Sequence, residues 1–140
     1  MNPRLEIFQN NNGLYVLLLG KEALKNRLPP QADLIDWYNN QLLSRSLMNN
    51  QVNVDYGSAT LVATNGGLPG KRILVFGLGA TESLGAPTAR KLVEDLTQVL
   101  EGLNESEAWL VFPENLPTRF MHEFHKSRTS SKRLAQVKIF

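Results

Sequence analysis

The chain has 140 residues, of which 42% are hydrophobic and 20% are charged, and this composition is typical of a globular rather than a disordered protein and indicates one domain over residues 1–140. Its formal charge is only +2, it has no cysteine, and its longest apolar run, Leu14–Leu19, is too short to cross a membrane. Disulfides, thiolate nucleophiles and most structural zinc sites are therefore excluded, and we expect a cytoplasmic protein without membrane contact.

The first third of the chain predicts two strands followed by a helix. Leu5–Phe8 is a short apolar stretch, and the continuous apolar run Leu14–Leu19 is typical of a central strand buried on both faces. A pair of prolines then interrupts the chain, and Asp33–Asn49 is predicted to be a helix capped by its aspartate. The apolar residues that recur at helical spacing in this segment are Ile35, Tyr38, Leu42 and Leu43.

A β-hairpin is predicted next. Ala59–Thr64 shows period-two patterning with β-branched residues, and Arg72–Phe76 is a second apolar strand. The five or six residues between them suffice for a reversal but not for a crossover, so the two strands should be antiparallel. We expect the second strand to stop at Gly77 and Gly79.

The clearest predicted helix lies between this hairpin and a further strand. Pro87 suits its first turn, Thr88 or the preceding loop can cap it, and Gly102 lies near its end. Ala108–Phe112 should then return as a strand parallel to the one before the helix. The apolar residues that form one stripe along this helix are Leu92, Val93, Leu96, Val99, Leu100 and Leu103.

The C-terminal segment predicts one more helix and one more strand. The helix should run from Pro117 to about Ser127, and Gln136–Phe140 could add a terminal strand. The apolar side of this helix consists of Phe120, Met121 and Phe124. The expected fold class is α/β, a three-layer sandwich in which helices cover both faces of a mixed central sheet of about six strands.

Gly77 and Gly79 are the first candidate binding residues, because they lie between a strand and a helix whose N-terminal amides could hold a phosphate. The spacing does not match a dinucleotide fingerprint, since Glu82 stands where the third glycine would be required. The Gly-Lys-Arg at residues 70–72 likewise lacks the hydroxyl residue of a Walker loop. The more ordinary interpretation is that the glycines allow a tight turn.

No recognisable catalytic site is assembled by the sequence. His122 and His125 are spaced i, i+3 rather than i, i+4, and no third metal ligand is evident, so we expect two partly exposed histidines. Trp37 and Trp109 are expected to pack rather than to stack on bases. The serines that lie outside any Gly-x-Ser-x-Gly elbow include Ser58, Ser83 and Ser106.

The positive charge is concentrated at the C-terminal end. Residues 118–140 carry six basic side chains and one acidic side chain, giving +5, whereas residues 1–117 carry nine basic and twelve acidic side chains, giving −3. Such a cluster can contact nucleic acid or an acidic partner, although a solvated helix face followed by a charged terminus is the ordinary alternative. The candidate contact residues are Lys126, Arg128, Lys132 and Arg133.

Ala59–Thr64, Leu68–Gly79 and the helix that follows resemble the N-terminal domain of the leucyl aminopeptidase family, also called cytosol aminopeptidases. The Leu-Pro-Pro at residues 28–30 fits the same family. The resemblance covers most of the chain and implies a macro-domain-like α/β fold. The family's chemistry lies in a separate C-terminal domain that binds two divalent metals, and its Asn-Thr-Asp-Ala-Glu-Gly-Arg motif does not occur here. No catalytic residue is therefore carried over.

The resemblance implies a non-catalytic scaffold or interaction domain that holds no cofactor itself. It would be an isolated N-terminal domain, a part of a longer enzyme or a natural stand-alone relative. Its partners would be further copies of the chain or an aminopeptidase catalytic domain. Two alternatives stay open: the macro-like fold implies a nucleotide or ADP-ribose binding module that uses Gly77 and Gly79, and the basic C-terminal segment implies contact with DNA, as in some bacterial members.

Overall fold

The computed structural model describes residues 14–25, 28, 32, 42–49, 51–63, 72–103, 108–113, 116–131, 134 and 137–139. The strands are β1 (Leu14–Gly20), β2 (Ala59–Ala63), β3 (Arg72–Gly79), β4 (Ala108–Val111) and β5 (Lys138–Ile139). The α-helices are α1 (Leu42–Met48), α2 (Ala86–Leu103) and α3 (Thr118–Arg128). Two short 3-10 helices follow β1 and β3, at Lys21–Lys25 and Thr81–Ser83.

The strands form one mixed sheet in the order β2-β3-β1-β4-β5. β2 is antiparallel to β3, as predicted for the hairpin, and the other neighbouring pairs are parallel. β3 and β4 are parallel to each other, as predicted from the intervening helix, with β1 lying between them. The described residues form five strands where about six were predicted, and the remaining predicted strand, Leu5–Phe8, lies outside them.

β1 is the central strand and contributes to a hydrophobic core on each side of the sheet. All seven of its residues are buried, as the continuous apolar run predicted. Successive side chains of a strand point to opposite faces, so Leu14 and Val16 join the core beneath α2 and α3, whereas Tyr15 and Leu17 join the core beneath α1. The prediction that helices cover both faces is therefore confirmed.

α2 lies on the sheet through the stripe that the sequence predicted. Leu92, Val93, Leu96 and Leu100 are buried, and Val99 and Leu103 pack at the edge of the same core. The helix begins at Ala86, and the Gly85 carbonyl accepts the Ala89 N–H at 3.0 Å. The preceding loop therefore supplies the first helical hydrogen bond, whereas Thr88 lies inside the helix.

α3 begins directly after Pro117 and packs by Phe120 and Phe124, which are both fully buried. The rings of Phe112 and Phe124 meet edge to face, with their centroids 5.0 Å apart, a favourable geometry for two aromatic rings. Met121 is partly buried against the same core, so the predicted apolar side is confirmed.

α1 corresponds to the last part of the predicted helix Asp33–Asn49. It ends at Met48, one residue earlier than predicted, and buries Leu43 against the sheet. The earlier part of that prediction, with Ile35, Trp37 and Tyr38, lies outside the described residues. In the part of the chain that the structure describes, no helix combines the length and the apolar character that a membrane span requires.

Candidate functional site

β3 continues through Gly77 and ends at Gly79, so the predicted end of this strand is confirmed at Gly79 and wrong at Gly77. The chain segment of residues 54–58, hereafter segment 54–58, extends the hydrogen-bonded ladder beyond β2. The Gly77 N–H donates to the Ser58 carbonyl at 2.8 Å, and the Gly57 N–H donates to the Gly77 carbonyl at 3.1 Å. The Gly79 N–H donates to the Val54 carbonyl at 2.9 Å. These partners satisfy the N–H groups of both candidate glycines, which lets the strand continue.

The two glycines are needed because the backbone of segment 54–58 approaches them closely. A Cβ atom at Gly77 would collide with the carbonyl oxygen of Asp55 and the carbonyl carbon of Val54. Gly79 has a φ of +66°, a conformation that other residues rarely adopt. Since both N–H groups already donate within the chain, a phosphate could reach them only by displacing segment 54–58. Phosphate binding by Gly77 and Gly79 stays a prediction.

A cleft of about 380 Å³ lies where β3 ends and α2 begins. We name it the β3–α2 cleft. Its lining includes Tyr56, Leu78, Ser83, Leu84, Thr88 and Lys91. The start of α2 offers this cleft fewer backbone donors than most helices would, because Pro87 has no N–H. These residues are not recognisable as neighbours in the sequence, since their proximity arises from the packing of segment 54–58 against α2.

Two polar side chains give the β3–α2 cleft its chemistry. The Tyr56 hydroxyl donates a long hydrogen bond of 3.4 Å to the Thr88 carbonyl. Burial, with a smaller contribution from the Asp95 carboxylate, raises the pKa of Tyr56, so its phenol stays neutral and can act as a hydrogen-bond donor. The Lys91 ammonium lies 3.7 Å from the Asp95 carboxylate on the surface of α2. These groups could contact a polar ligand, but they are not arranged as a nucleophile and its base.

His122 and His125 are both exposed on α3. Glu123 between them accepts a hydrogen bond from Arg90 at 3.2 Å and another from Ser127 at 3.2 Å. The Arg90 hydrogen bond is the main reason that the pKa of Glu123 is lowered, and partial burial opposes it. No three acidic or histidine side chains converge as metal ligands within the described residues.

The candidate serines that the structure describes use their hydroxyls to hold local turns. Ser58 Oγ donates to the carbonyl oxygens of Asn53 and Asp55, at 2.9 and 2.7 Å. Ser83 Oγ donates to the Ala80 carbonyl at 2.9 Å. Ser106 lies outside the described residues. Both described hydroxyls therefore stabilise turns near the carboxyl end of β3 rather than pairing with a general base.

The basic residues of the C-terminal segment differ in their surroundings. Lys126 is exposed, whereas Arg128, two positions later and hence on another side of α3, is partly buried. The Nη1 atom of Arg128 is buried without a hydrogen-bond partner among the described residues. Lys132 and Arg133 lie outside the described residues, so nucleic-acid contact through this segment stays a prediction.

Trp109 packs against the core, as expected. It lies in β4, is partly buried beside the core beneath α1, and has the Lys138 ammonium 5.3 Å from its ring centroid. This cation–π contact joins β4 to β5 and assigns Trp109 a structural role.

The fold defines a macro-domain-like α/β class. The macrodomain of Mycobacterium tuberculosis DarG shares it with a TM-score of 0.61 and 14% identity, over 93% of this chain and 87% of that one. The macrodomain of Thermus aquaticus DarG has a TM-score of 0.58 and 10% identity, over 93% and 89% of the two chains. A mutant of tomato leucine aminopeptidase has a TM-score of 0.61 and 13% identity, and the matched region covers 92% of this chain but 28% of the enzyme.

Residues 16–127 match the family model for the N-terminal domain of cytosol aminopeptidases. The chain therefore belongs to the cytosol aminopeptidase family through that N-terminal domain, and the resemblance stated from the sequence is confirmed. No curated protein sequence matches the chain. The chain spans little more than a quarter of the length of the tomato enzyme.

Proposed function

We propose that this chain is a non-catalytic scaffold and interaction domain of a leucyl-aminopeptidase-like protein. In this proposal, a separate domain carries the two divalent metals and removes N-terminal residues from peptides. This chain contributes a rigid surface to copies of itself or to that catalytic domain. The family is named for cytosolic enzymes, and we extend that location to this protein as part of the proposal.

The observation that carries the proposal is that segment 54–58 forms backbone hydrogen bonds with the carboxyl end of β3. The amides of Gly77 and Gly79 donate to carbonyl groups of the same chain. The hydroxyl of Ser58 and the carboxylate of Glu123 are likewise engaged in local contacts. A reaction needs groups that converge on a shared space, and the described residues instead use their polar groups to hold secondary structure together.

A peptidase assay tests the absence of catalysis. The pure chain is mixed with leucyl p-nitroanilide and manganese, and a leucine aminopeptidase serves as the positive control. We expect no sustained turnover by this chain. Turnover that a chelator abolishes, and that the double variant His122→Ala and His125→Ala loses, would show that the chain holds its own metal and would overturn the proposal.

A second candidate function is binding of a nucleotide or ADP-ribose in the β3–α2 cleft. It is favoured by the position of the cleft at the carboxyl end of a parallel strand, where open α/β sheets commonly bind ligands. Shared fold alone is analogy, so the cleft itself must be tested. Isothermal titration with ADP-ribose decides the matter, using Lys91→Ala as the cleft variant and Lys126→Ala as the matched control.

The two candidate functions predict different results for the titration with ADP-ribose. A scaffold domain gives no binding heat up to millimolar ADP-ribose. Saturable heat that Lys91→Ala removes, and that Lys126→Ala retains, would replace the scaffold proposal with the binding function.

A further inference from the structure

Among the described residues, β2 forms one end of the sheet and pairs only with β3. No strand lies on its other side within the described residues. Ala59 and Leu61 are exposed, and Leu61 leaves 48% of its surface accessible. The strand has the sequence Ala-Thr-Leu-Val-Ala, without a charge or a proline. Edge strands usually carry a charged residue or a proline, which prevents pairing with another chain. β2 lacks this common protection.

The hydrogen bonds to β3 show which backbone groups of β2 point away from the sheet. The Gly77 N–H donates to the Ser58 carbonyl, so Ser58 occupies a bonded position just before β2. Bonded positions alternate along an antiparallel ladder, and Thr60 and Val62 therefore also bond to β3. The residues whose N–H and carbonyl groups point outward are Ala59, Leu61 and Ala63.

We propose that β2 is a self-association surface, at which the β2 strands of two copies pair antiparallel about a two-fold axis at Leu61. The proposal rests on the interaction role given above and names its partner as a second copy of this chain. In this register Leu61 faces Leu61 of the second copy, and Ala59 of each copy faces Ala63 of the other. Three facing pairs that exchange two hydrogen bonds each give about six bonds across the axis.

The strand is self-complementary in this register, and that favours a second copy as the occupant. A leucine stands at the axis and alanines stand two positions away on either side, so the bulky residue meets its own copy between small neighbours. Thr60 faces Val62, which joins two β-branched residues. The absence of charge means that two identical strands approach without like-charge repulsion.

Pairing would also remove exposed apolar surface from water. Leu61 lies opposite Leu74 in the β2–β3 register and shares its face of the sheet, which is the face covered by α2 and α3. Across the axis, the two exposed leucines meet on that same face and cover each other. A single pair of five-residue strands buries less surface than the roughly 800 Å² per partner of a standard interface. The dimer is therefore weak and depends on protein concentration.

Disulfide trapping tests the register directly, because the natural chain has no cysteine. Facing residues of a bonded antiparallel pair have Cα atoms about 5.5 Å apart, within reach of a disulfide. Under mild oxidation, we expect Leu61→Cys to form covalent dimers at least about tenfold faster than Met48→Cys, since only the former is held opposite itself. Met48 is a matched control because its side chain is also exposed, at 70%, but on α1.

A mixture of two further variants fixes the alignment of the strands. Ala59→Cys mixed with Ala63→Cys should give the mixed dimer, whereas either variant alone should not cross-link. Two copies of residue 59 would lie about 14 Å apart in the proposed register, which is too far for a disulfide. Cross-linking of Ala59→Cys with itself would contradict the two-fold axis at Leu61.

Sedimentation of the cysteine-free chain provides the non-covalent test. We expect a concentration-dependent dimer that Leu61→Lys weakens by about tenfold, because two like charges then face each other. Met48→Lys should leave the dimer unchanged, and thermal unfolding of both variants confirms that they fold. A monomer at all concentrations, or equal cross-linking of Leu61→Cys and Met48→Cys, would overturn the self-association. Neither outcome bears on catalysis, which the peptidase assay tests separately.

Discussion

The middle of α2 and the carboxyl end of β3 are both held in the fold, but by different means. α2 is held by buried side chains such as Leu92 and Leu96. The end of β3 is held by backbone hydrogen bonds from Gly77 and Gly79 to segment 54–58. The backbone hydrogen bonds occupy the amides of Gly77 and Gly79, so a ligand could reach these amides only by displacing segment 54–58.

Loss of side-chain packing at α2 should have the largest effect on stability. Leu96 is fully buried, so Leu96→Ala removes apolar contacts and leaves a cavity. We expect the free energy of unfolding to fall by about 2 to 5 kcal/mol. Urea unfolding followed by circular dichroism measures the change, with the exposed Gln98→Ala on the same helix as its control. An unchanged unfolding midpoint for Leu96→Ala would show that α2 does not close the core in this way.

A methyl group added at Gly77 should have an intermediate effect on the free energy of unfolding. Whether an added methyl group destabilises or stabilises the chain depends on which glycine carries it. In Gly77→Ala the new Cβ meets backbone atoms of Val54 and Asp55, which cannot simply rotate away. We expect a loss of about 1 to 3 kcal/mol in the free energy of unfolding.

The matched control is Gly102→Ala in the last turn of α2. A Cβ at Gly102 meets nothing within 4 Å, so alanine should stabilise the helix by up to about 1 kcal/mol. The two variants are compared by urea unfolding. Equal and small effects would mean that segment 54–58 does not pack against Gly77 as described.

The smallest expected effect concerns the contact between α2 and α3 at Glu123. Arg90 lowers the pKa of Glu123, so the folded state favours the ionised carboxylate. The resulting stability is present above the ordinary glutamate value of about 4.5 and is lost as the pH falls towards the lower folded-state pKa. Glu123→Gln should therefore flatten the dependence of stability on pH in that acidic window.

A double-mutant cycle with Arg90→Ala checks the cause. If the Arg90 contact is responsible, the double variant should be no less stable than the less stable single variant, as expected for residues that act as a pair. Additive effects of the two substitutions would place the cause of the lowered pKa elsewhere.

Features carried by local side-chain patterns could be predicted from the sequence. The apolar run of β1 predicted a strand buried on both faces, and the stripe of α2 predicted its buried side. The short link between β2 and β3 predicted an antiparallel hairpin. In each case one element contains enough information to fix its own type and its buried face.

Features that depend on distant segments could not be predicted in the same way. β3 passes through Gly77 and Gly79 because segment 54–58, some twenty residues earlier, supplies hydrogen-bond partners that override the tendency of glycine to end a strand. The insertion of β1 between β3 and β4 also depends on long-range pairing. The meeting of Tyr56 with Lys91 in the β3–α2 cleft follows from that same packing.

Hydrogen exchange of the Gly77 and Gly79 amides, followed by NMR with and without ADP-ribose, tests the central claim most directly. If segment 54–58 closes the end of β3, both amides exchange slowly, with protection close to that of β1. Their signals then stay in place when millimolar ADP-ribose is added. Exchange at the rate of unprotected amides, together with signals that shift as the ligand is added, would show an open binding loop and would contradict the account.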